Sequence, residues 1–255
     1  MVDGYLNFDT RIDTKGFEKG LGNVQNGLKS IKSILGQLST AALAAFSVKA
    51  VVDFGKKAVE SAAEVRAANA QMEQTFGDLY STADAAMKRV ADQSGIVQTR
   101  LNGVGTSIYA FAKASGMDSA TAMSMMEDAL AATADSAAYY DRSLEDTAES
   151  LRSFLKGNYA NDAALGISCT ETTRNIAANK LYSKSFQDLS EAQKQLVLLQ
   201  MVKDANALSG AEGQAAREAE GWENVIGNLK ETWKQFQAVI GPVSYTHLTL
   251  PTTSR

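Results

Sequence analysis

The sequence predicts an all-α protein, and composition, scarcity of proline and apolar spacing each point that way. Hydrophobic residues make up 45% of the 255 residues but aromatic residues only 7%, so alanine supplies much of the apolar content. Alanine has the highest helix propensity, and the whole chain holds only two prolines. Apolar residues recur at spacings of three and four along most of its length. We therefore expect a long helix or helical hairpin over residues 14–92 and a compact multi-helix body over 96–241.

Residues 1–13 form an exception, because apolar and polar side chains alternate there. Leu6, Phe8, Thr10 and Ile12 point to one side of an extended chain, as is typical of a strand. The rest of the sequence predicts no second strand, so this one would have to pair with another copy or a partner. A flexible arm is the alternative.

A seam of apolar residues follows, with alternating spacings of four and three. Its seven members are candidate self-association residues: Phe17, Leu21, Val24, Leu28, Ile31, Leu35 and Leu38. Leucine at the a positions with β-branched residues at d favours trimers or tetramers over dimers. Five glycines in or beside this helix weaken it in isolation. It therefore needs packing, on its own domain or on other copies; an ordinary amphipathic helix is the alternative.

The most apolar stretch runs from Ser39 to Gly55. It is shorter than the roughly 20 residues needed to span a bilayer, and Lys49 and Asp53 interrupt it. These features favour a buried helix. An interfacial or conditionally inserting helix is the alternative.

Helix follows helix from Ala58 onward, and small sets of residues mark the boundaries. Ser94-Gly95 and Ser115-Gly116 break the apolar period. Asp118 is placed to cap the helix that carries Met123, Met126 and Leu130, which we interpret as core residues. Ser143–Asp146 and Ser190–Gln193 match the capping-box pattern, and Gly157 is placed to end the helix after Ser143.

The last helix carries another run at 4-3 spacing, and Gly241-Pro242 is predicted to end it. The run consists of Trp222, Ile226, Leu229, Trp233, Phe236 and Ile240. Residues 243–255 lose this period. Their sequence, "SYTHLTLPTTSR" after Val243, resembles a sequencing adapter read through as coding sequence. We expect this tail to be non-native and give its histidine, His247, no role.

Charge and side-chain chemistry argue against several classes of function. The formal charges of residues 1–57 sum to +3 and those of residues 58–241 to −8. The second segment is therefore acidic and has no basic stripe, which disfavours nucleic-acid binding. The single cysteine, Cys169, excludes an internal disulfide and a multi-thiolate metal site. We assign no catalytic, cofactor-binding or metal-binding residue, and we expect no enzyme.

Two groups of residues could suggest an active site, but each has a simpler explanation. The carboxylates Glu145, Asp146 and Glu149 are interpreted as a solvated helix face, and Gly103–Gly105 lacks the strand and lysine of a phosphate loop.

Three segments resemble phage tail tape-measure proteins of Gram-positive bacteria and their prophages. "DGYLNFDTRIDTKGFEKGL" is similar to the opening of that family. "YYDRSLEDTAESLRSFLKGNYANDAALGIS" (residues 139–168) is similar to its core segment, and "GWENVIGNLKETWKQFQAVIG" (221–241) to the helix that closes it. The three occur in the expected order and anchor the resemblance from about residue 3 to 241. Family members are usually much longer, so the resemblance implies an N-terminal fragment.

The resemblance implies a structural role in the virion. Several copies would lie in the lumen of the phage tail, assembled in the host cytoplasm with tail-tube subunits and tail assembly chaperones as partners. Chain length would set tail length, and the protein would leave the tube ahead of the DNA, with possible contact with the host membrane at infection. A homo-oligomer is expected.

Two alternatives belong to other classes of function. One is a secreted or membrane-active helical protein that inserts residues 39–55, for which liposome binding would be diagnostic. The other is the N-terminal part of a tail-associated cell-wall hydrolase, for which zymography would be diagnostic.

Overall fold

The computed structural model of the chain describes residues 48–160 and 162–249, and in these ranges the fold is all-α, as predicted. In chain order the helices are α1 (Val48–Phe76), a 3-10 turn (Gly77–Leu79), α2 (Tyr80–Ser94), α3 (Gln98–Ala114), α4 (Ser119–Tyr139), α5 (Leu144–Leu155), a second 3-10 turn (Asp162–Leu165), α6 (Glu171–Tyr182), α7 (Glu191–Ser209), α8 (Gln214–Arg217) and α9 (Trp222–Thr249). The predicted N-terminal strand or arm lies outside the described residues. So do the seven seam residues between 17 and 38, residues 39–47 of the apolar stretch, and the last six residues of the tail.

Several helix ends fall where the capping residues predict them, although Ser143 only accepts from the Asp146 N–H and the predicted box with Asp146 is not complete. Gly95 follows α2 in the left-handed conformation, with φ of +68°, and Gly157, at +87°, follows α5. The Asp118 carboxylate accepts hydrogen bonds from the first turn of α4. The Ser190 hydroxyl and Gln193 side chain form the predicted capping box. A second capping box, between Thr170 and Thr173, begins α6 and was not predicted.

Helix α4 is the centre of the core and contacts α2, α3, α5, α7 and α8. Its alanines allow this, because a helix whose surface is mostly methyl groups lets neighbours approach closely. Met126 and Leu130 are fully buried, as predicted, with Met123 packed against the core. Buried Ser136 donates to the Asn206 side chain of α7 at 2.9 Å, so polar groups at this helix contact are satisfied.

The compact unit extends over Gly55–Arg255. It therefore begins well before the predicted body at 96, and α2 belongs to it. Met72 and Phe76 of α1 and Met87 of α2 lie in the same buried cluster as the later helices. The Phe76 ring lies 4.6 Å from that of Tyr109 in α3.

Helix α9 runs antiparallel to α1 and differs from its prediction at one end. Ser61 Oγ donates to Gln237 Oε1 at 3.4 Å, and Lys234 Nζ lies 2.7 Å from a Glu64 carboxylate oxygen. The predicted end at Gly241-Pro242 is wrong, because the helical backbone continues to Thr249. Proline removes one backbone hydrogen bond and can kink a helix. In α9 it does not end the helix.

Candidate functional site

A polar cluster around Arg100 joins three parts of the chain, and we call it the Arg100 cluster: Arg100, Glu145, Asn224, Asn228 and the Gly95 carbonyl. Arg100 lies in the first turn of α3, and its side chain is only 4% exposed. Its Nε and Nη2 donate to the two carboxylate oxygens of Glu145, at 2.9 and 3.1 Å. Its Nη1 donates to the side-chain oxygens of Asn224 at 3.3 Å and Asn228 at 3.1 Å. One guanidinium thus ties α3 to the first turn of α5 and to α9.

The turn between α2 and α3 is part of this cluster. The Asn224 and Asn228 amides both donate to the Gly95 carbonyl, at 3.1 and 2.8 Å. Asn228 Oδ1 also accepts from the Val97 backbone N–H at 3.0 Å. A Cβ on Gly95 would lie 2.5 Å from Ala219 Cβ, and the backbone there is left-handed. Only glycine satisfies both conditions without strain.

A second glycine lets the guanidinium approach the backbone of α9. A Cβ at Gly227 would lie 2.4 Å from Arg100 Cζ and from both Nη atoms. The guanidinium therefore occupies the space that a side chain would fill. Asn224, Gly227 and Asn228 are spaced three and one apart, which puts them on the same face of α9. Through this polar face α9 contacts α3 and the turn between α2 and α3.

The electrostatics of the cluster favour an ionised Glu145. A cation in the first turn of a helix is opposed by the helix dipole, whereas an anion there is favoured. Arg100 is a cation in the first turn of α3, which is the unfavourable case, and Glu145 is an anion in the first turn of α5, which is the favourable one. Pairing the two side chains therefore offsets the unfavourable dipole interaction of Arg100 with α3. Partial burial raises the pKa of Glu145, but hydrogen bonds and charge from Arg100 outweigh it and leave the pKa below its ordinary value.

The chemistry of the cluster is suited to holding helices together. Arginine stays protonated, and asparagine amides neither accept nor release protons near neutral pH. A cavity of about 50 Å³ adjoins the cluster, bordered by Asp141, Arg142 and Glu223 among others. That space is large enough for one or a few water molecules. In the described ranges, no group of three or more His, Cys, Asp or Glu residues is arranged to hold a metal ion.

Other residues singled out from the sequence have structural roles where they are described. Glu145 belongs to the Arg100 cluster and is not only part of a solvated face. Glu149 pairs with Arg152 one turn along α5. Gly105 is buried within α3, where a Cβ would lie 3.1 Å from Met87 Sδ. Cys169 is half-buried, and burial raises the pKa of its thiol.

Sequence reasoning missed Arg100 because its partners are distant along the chain. Glu145 is 45 positions away and Asn224 is 124. One signal was present: α9 carries Asn224, Gly227 and Asn228 on one face. A face with two amides beside a glycine offers hydrogen bonds and room for a close approach, and this indicates a polar contact.

Across the described helices, none has the length and apolar character needed to cross a bilayer. No protein-family model, curated protein or solved structure matches this chain.

Proposed function

We propose that the chain is the N-terminal part of a phage tail tape-measure protein, which sets tail length during tube assembly and leaves the tail ahead of the DNA. Three tape-measure-like segments in the expected order carry this proposal. The partners would be tail-tube subunits, tail assembly chaperones and further copies of the chain. The protein would be located in the host cytoplasm during assembly and then in the lumen of the tail.

The geometry supports the proposal by giving two of these segments a shared role. Glu145 lies in the second segment, and Asn224 and Asn228 lie in the third. All three bind Arg100. Segments that meet at one buried cation form one folding unit, which accounts for their occurrence together.

A helical chain also suits a molecular ruler. A helix rises about 1.5 Å per residue and does not stretch appreciably, so residue number converts directly to distance. Helices α1 and α9 contain 29 and 28 residues. The acidic residues of 58–241 suit a protein that DNA must follow without binding it, because like charges repel.

The test alters the length of the gene in its native phage. Inserting helical heptads downstream of residue 241 should lengthen the tail by about 10 Å per heptad, from the helical rise. A substitution series that keeps the length constant is the control. Tails of unchanged length in the insertion mutants would overturn the proposal, as would tails that form normally without the gene.

A further inference from the structure

The first part of helix α9 lies outside the apolar core of the body. That core is built from residues between Met72 and Ala215, and no side chain described between Glu223 and Val239 is a member of it. Leu229 is 63% and Val239 66% exposed. Burial of apolar surface is the main force that packs helices together. Other interactions must therefore contribute much of what holds this part of α9 in place.

Hydrogen bonds hold this part of α9 to α3 and to the turn before it, and we call them the α9 latch. The Asn224 and Asn228 amides donate to the Gly95 carbonyl, at 3.1 and 2.8 Å. Both side-chain oxygens accept from Arg100 Nη1, and Asn228 Oδ1 also accepts from the Val97 N–H. Water can replace each of these bonds when the helix leaves, so each one stabilises the contact only modestly.

A cleft of about 390 Å³ lies beside the latch, between α9 and the first turn of α5. Ser143 and Glu145 border it on one side, and Ile226 and Lys230 border it on the other. Helices packed as in a protein core leave few voids larger than a water molecule. The much larger cleft shows that α9 is not close-packed on α5 and that water can reach the edge of the latch.

Arg100 keeps a partner when α9 leaves. Its Nε and Nη2 bind Glu145 of α5, and only its Nη1 binds α9. A buried charge that loses its only partner destabilises a fold strongly. Here the carboxylate stays beside the guanidinium, and water reaches Nη1 once the helix has moved. The division of one guanidinium between α5 and α9 therefore allows the latch to open and close reversibly.

We propose that α9 separates from α3 and from the turn between α2 and α3 while the core of the body stays folded. Residues 218–221, which connect α8 to α9 as a turn, are the place where the chain can bend. The open state is a minor one under native conditions, so bulk unfolding remains a single transition. This inference does not depend on the tail function, because its test uses the free chain alone.

The Val97 N–H reports whether the latch is closed, because Asn228 Oδ1 is its acceptor. Leu130 of α4 is fully buried and serves as the reference for unfolding of the core. Hydrogen exchange followed by NMR on the full chain should give Val97 a protection factor at least about 100-fold below that of Leu130. Equal protection factors would show that α9 leaves only when the whole body unfolds, and they would overturn the proposal.

A core substitution separates opening of the latch from unfolding of the body. Val197 is fully buried in α7, and Val197→Ala should lower the protection factor of Leu130 about tenfold through the cavity that it leaves. The protection factor of Val97 should not change, because the core is folded whether the latch is open or closed. An equal fall at both amides would overturn the proposal.

A latch substitution separates movement of the helix from movement of the Asn228 side chain alone. Asn224→Ala removes hydrogen bonds to Arg100 and Gly95 and leaves the acceptor of Val97 in place. It should lower the protection factor of Val97 roughly tenfold. Asn179→Ala, the same change at an exposed position of α6, is the control and should have no effect. An unchanged Val97 in the Asn224→Ala chain would overturn the proposal.

Discussion

Arg100 differs from the other paired arginines in its burial. Its bidentate bond to Glu145 has a counterpart on the surface, where Arg89 makes the same two-bond contact with Glu127, at 2.9 and 2.8 Å. The Arg89 side chain is 55% exposed, so water replaces its bonds readily when they break. The Arg100 donors have no such replacement, since the guanidinium is enclosed between α3, α5 and α9.

Replacing Arg100 with methionine should destabilise the fold by about 2–3 kcal/mol, because four hydrogen bonds from a buried charge are lost. Arg89→Met, with the same geometry in solvent, should destabilise the fold much less than Arg100→Met does. Urea unfolding of both variants measures the difference. Equal losses would show that burial does not strengthen the Arg100 pair.

Glu145 should make stability depend on pH. Its pKa is lower in the folded chain than in the unfolded chain, so the ionised form stabilises the fold. This stabilisation is complete above the unfolded-state pKa of about 4.3, and it is lost as the pH falls through the folded-state pKa. Urea midpoints of the wild type and Glu145→Gln should therefore differ at pH 7 and converge on acidification. A constant difference down to pH 3 would contradict the assignment.

Replacing two helical glycines, Gly103 and Gly227, with alanine should change the stability of the fold in opposite directions. Gly103 lies in α3 with nothing within 4 Å of a built Cβ, so Gly103→Ala should stabilise the fold by about 0.5–1 kcal/mol through helix propensity. Gly227→Ala gains the same propensity but drives its methyl group into Arg100, and it should destabilise the fold. Thermal unfolding of the pair separates the two effects. If both variants gain stability, Arg100 does not depend on the close approach to α9.

Individual helices were predictable where local chemistry determines them. Caps at Asp118 and Ser190 and the glycines that end α2 and α5 act within four residues, so the sequence alone locates them. The capping box at Thr170 was missed because its third residue is Thr173 instead of Glu or Gln. The end of α9 was predicted at Gly241-Pro242 because proline commonly ends a helix, but this helix continues beyond Pro242 to Thr249.

The face that each helix presents was harder to predict than its ends. The 4-3 spacing of α9 was read as one seam of six residues from Trp222 to Ile240. In the structure Asn224 and Asn228 of this helix bind Arg100, whereas Leu229, a member of that seam, is 63% exposed. Periodicity reports that a helix is amphipathic, but which side meets the body depends on residues more than 100 positions away.

The compact unit from Gly55 onward should fold without the preceding residues. A chain of residues 55–255 should keep one cooperative unfolding transition, whereas a chain that begins at 96 loses the buried side chains Met72, Phe76, Met87 and Val90. Each such loss from a core costs several kcal/mol. Calorimetry on both chains checks this. A cooperative transition from the shorter chain would restore the boundary at 96.

The sequence predicts association of the whole molecule through the seam between residues 17 and 38. Residues 1–57 alone should form trimers or larger species weakly at high concentration, and Leu28→Asp with Ile31→Asp should abolish this while leaving the body folded. Sedimentation of that fragment measures it. A strict monomer at hundreds of micromolar would refute multi-copy packing through this seam, and unfolding of the body by the double substitution would show internal packing instead.

In the part of the chain that the structure describes, six buried methionines are distributed over α1, α2, α4, α7 and the loop before α4, and they offer a means of phasing diffraction from its crystals. They are Met72, Met87, Met117, Met125, Met126 and Met201. Thioethers held in a close-packed interior have little room to move. Selenium substituted for their sulfur would therefore occupy well-ordered positions that span the fold. Anomalous differences from such crystals should reveal these atoms first, and their mutual distances would report the arrangement of the helices that carry them.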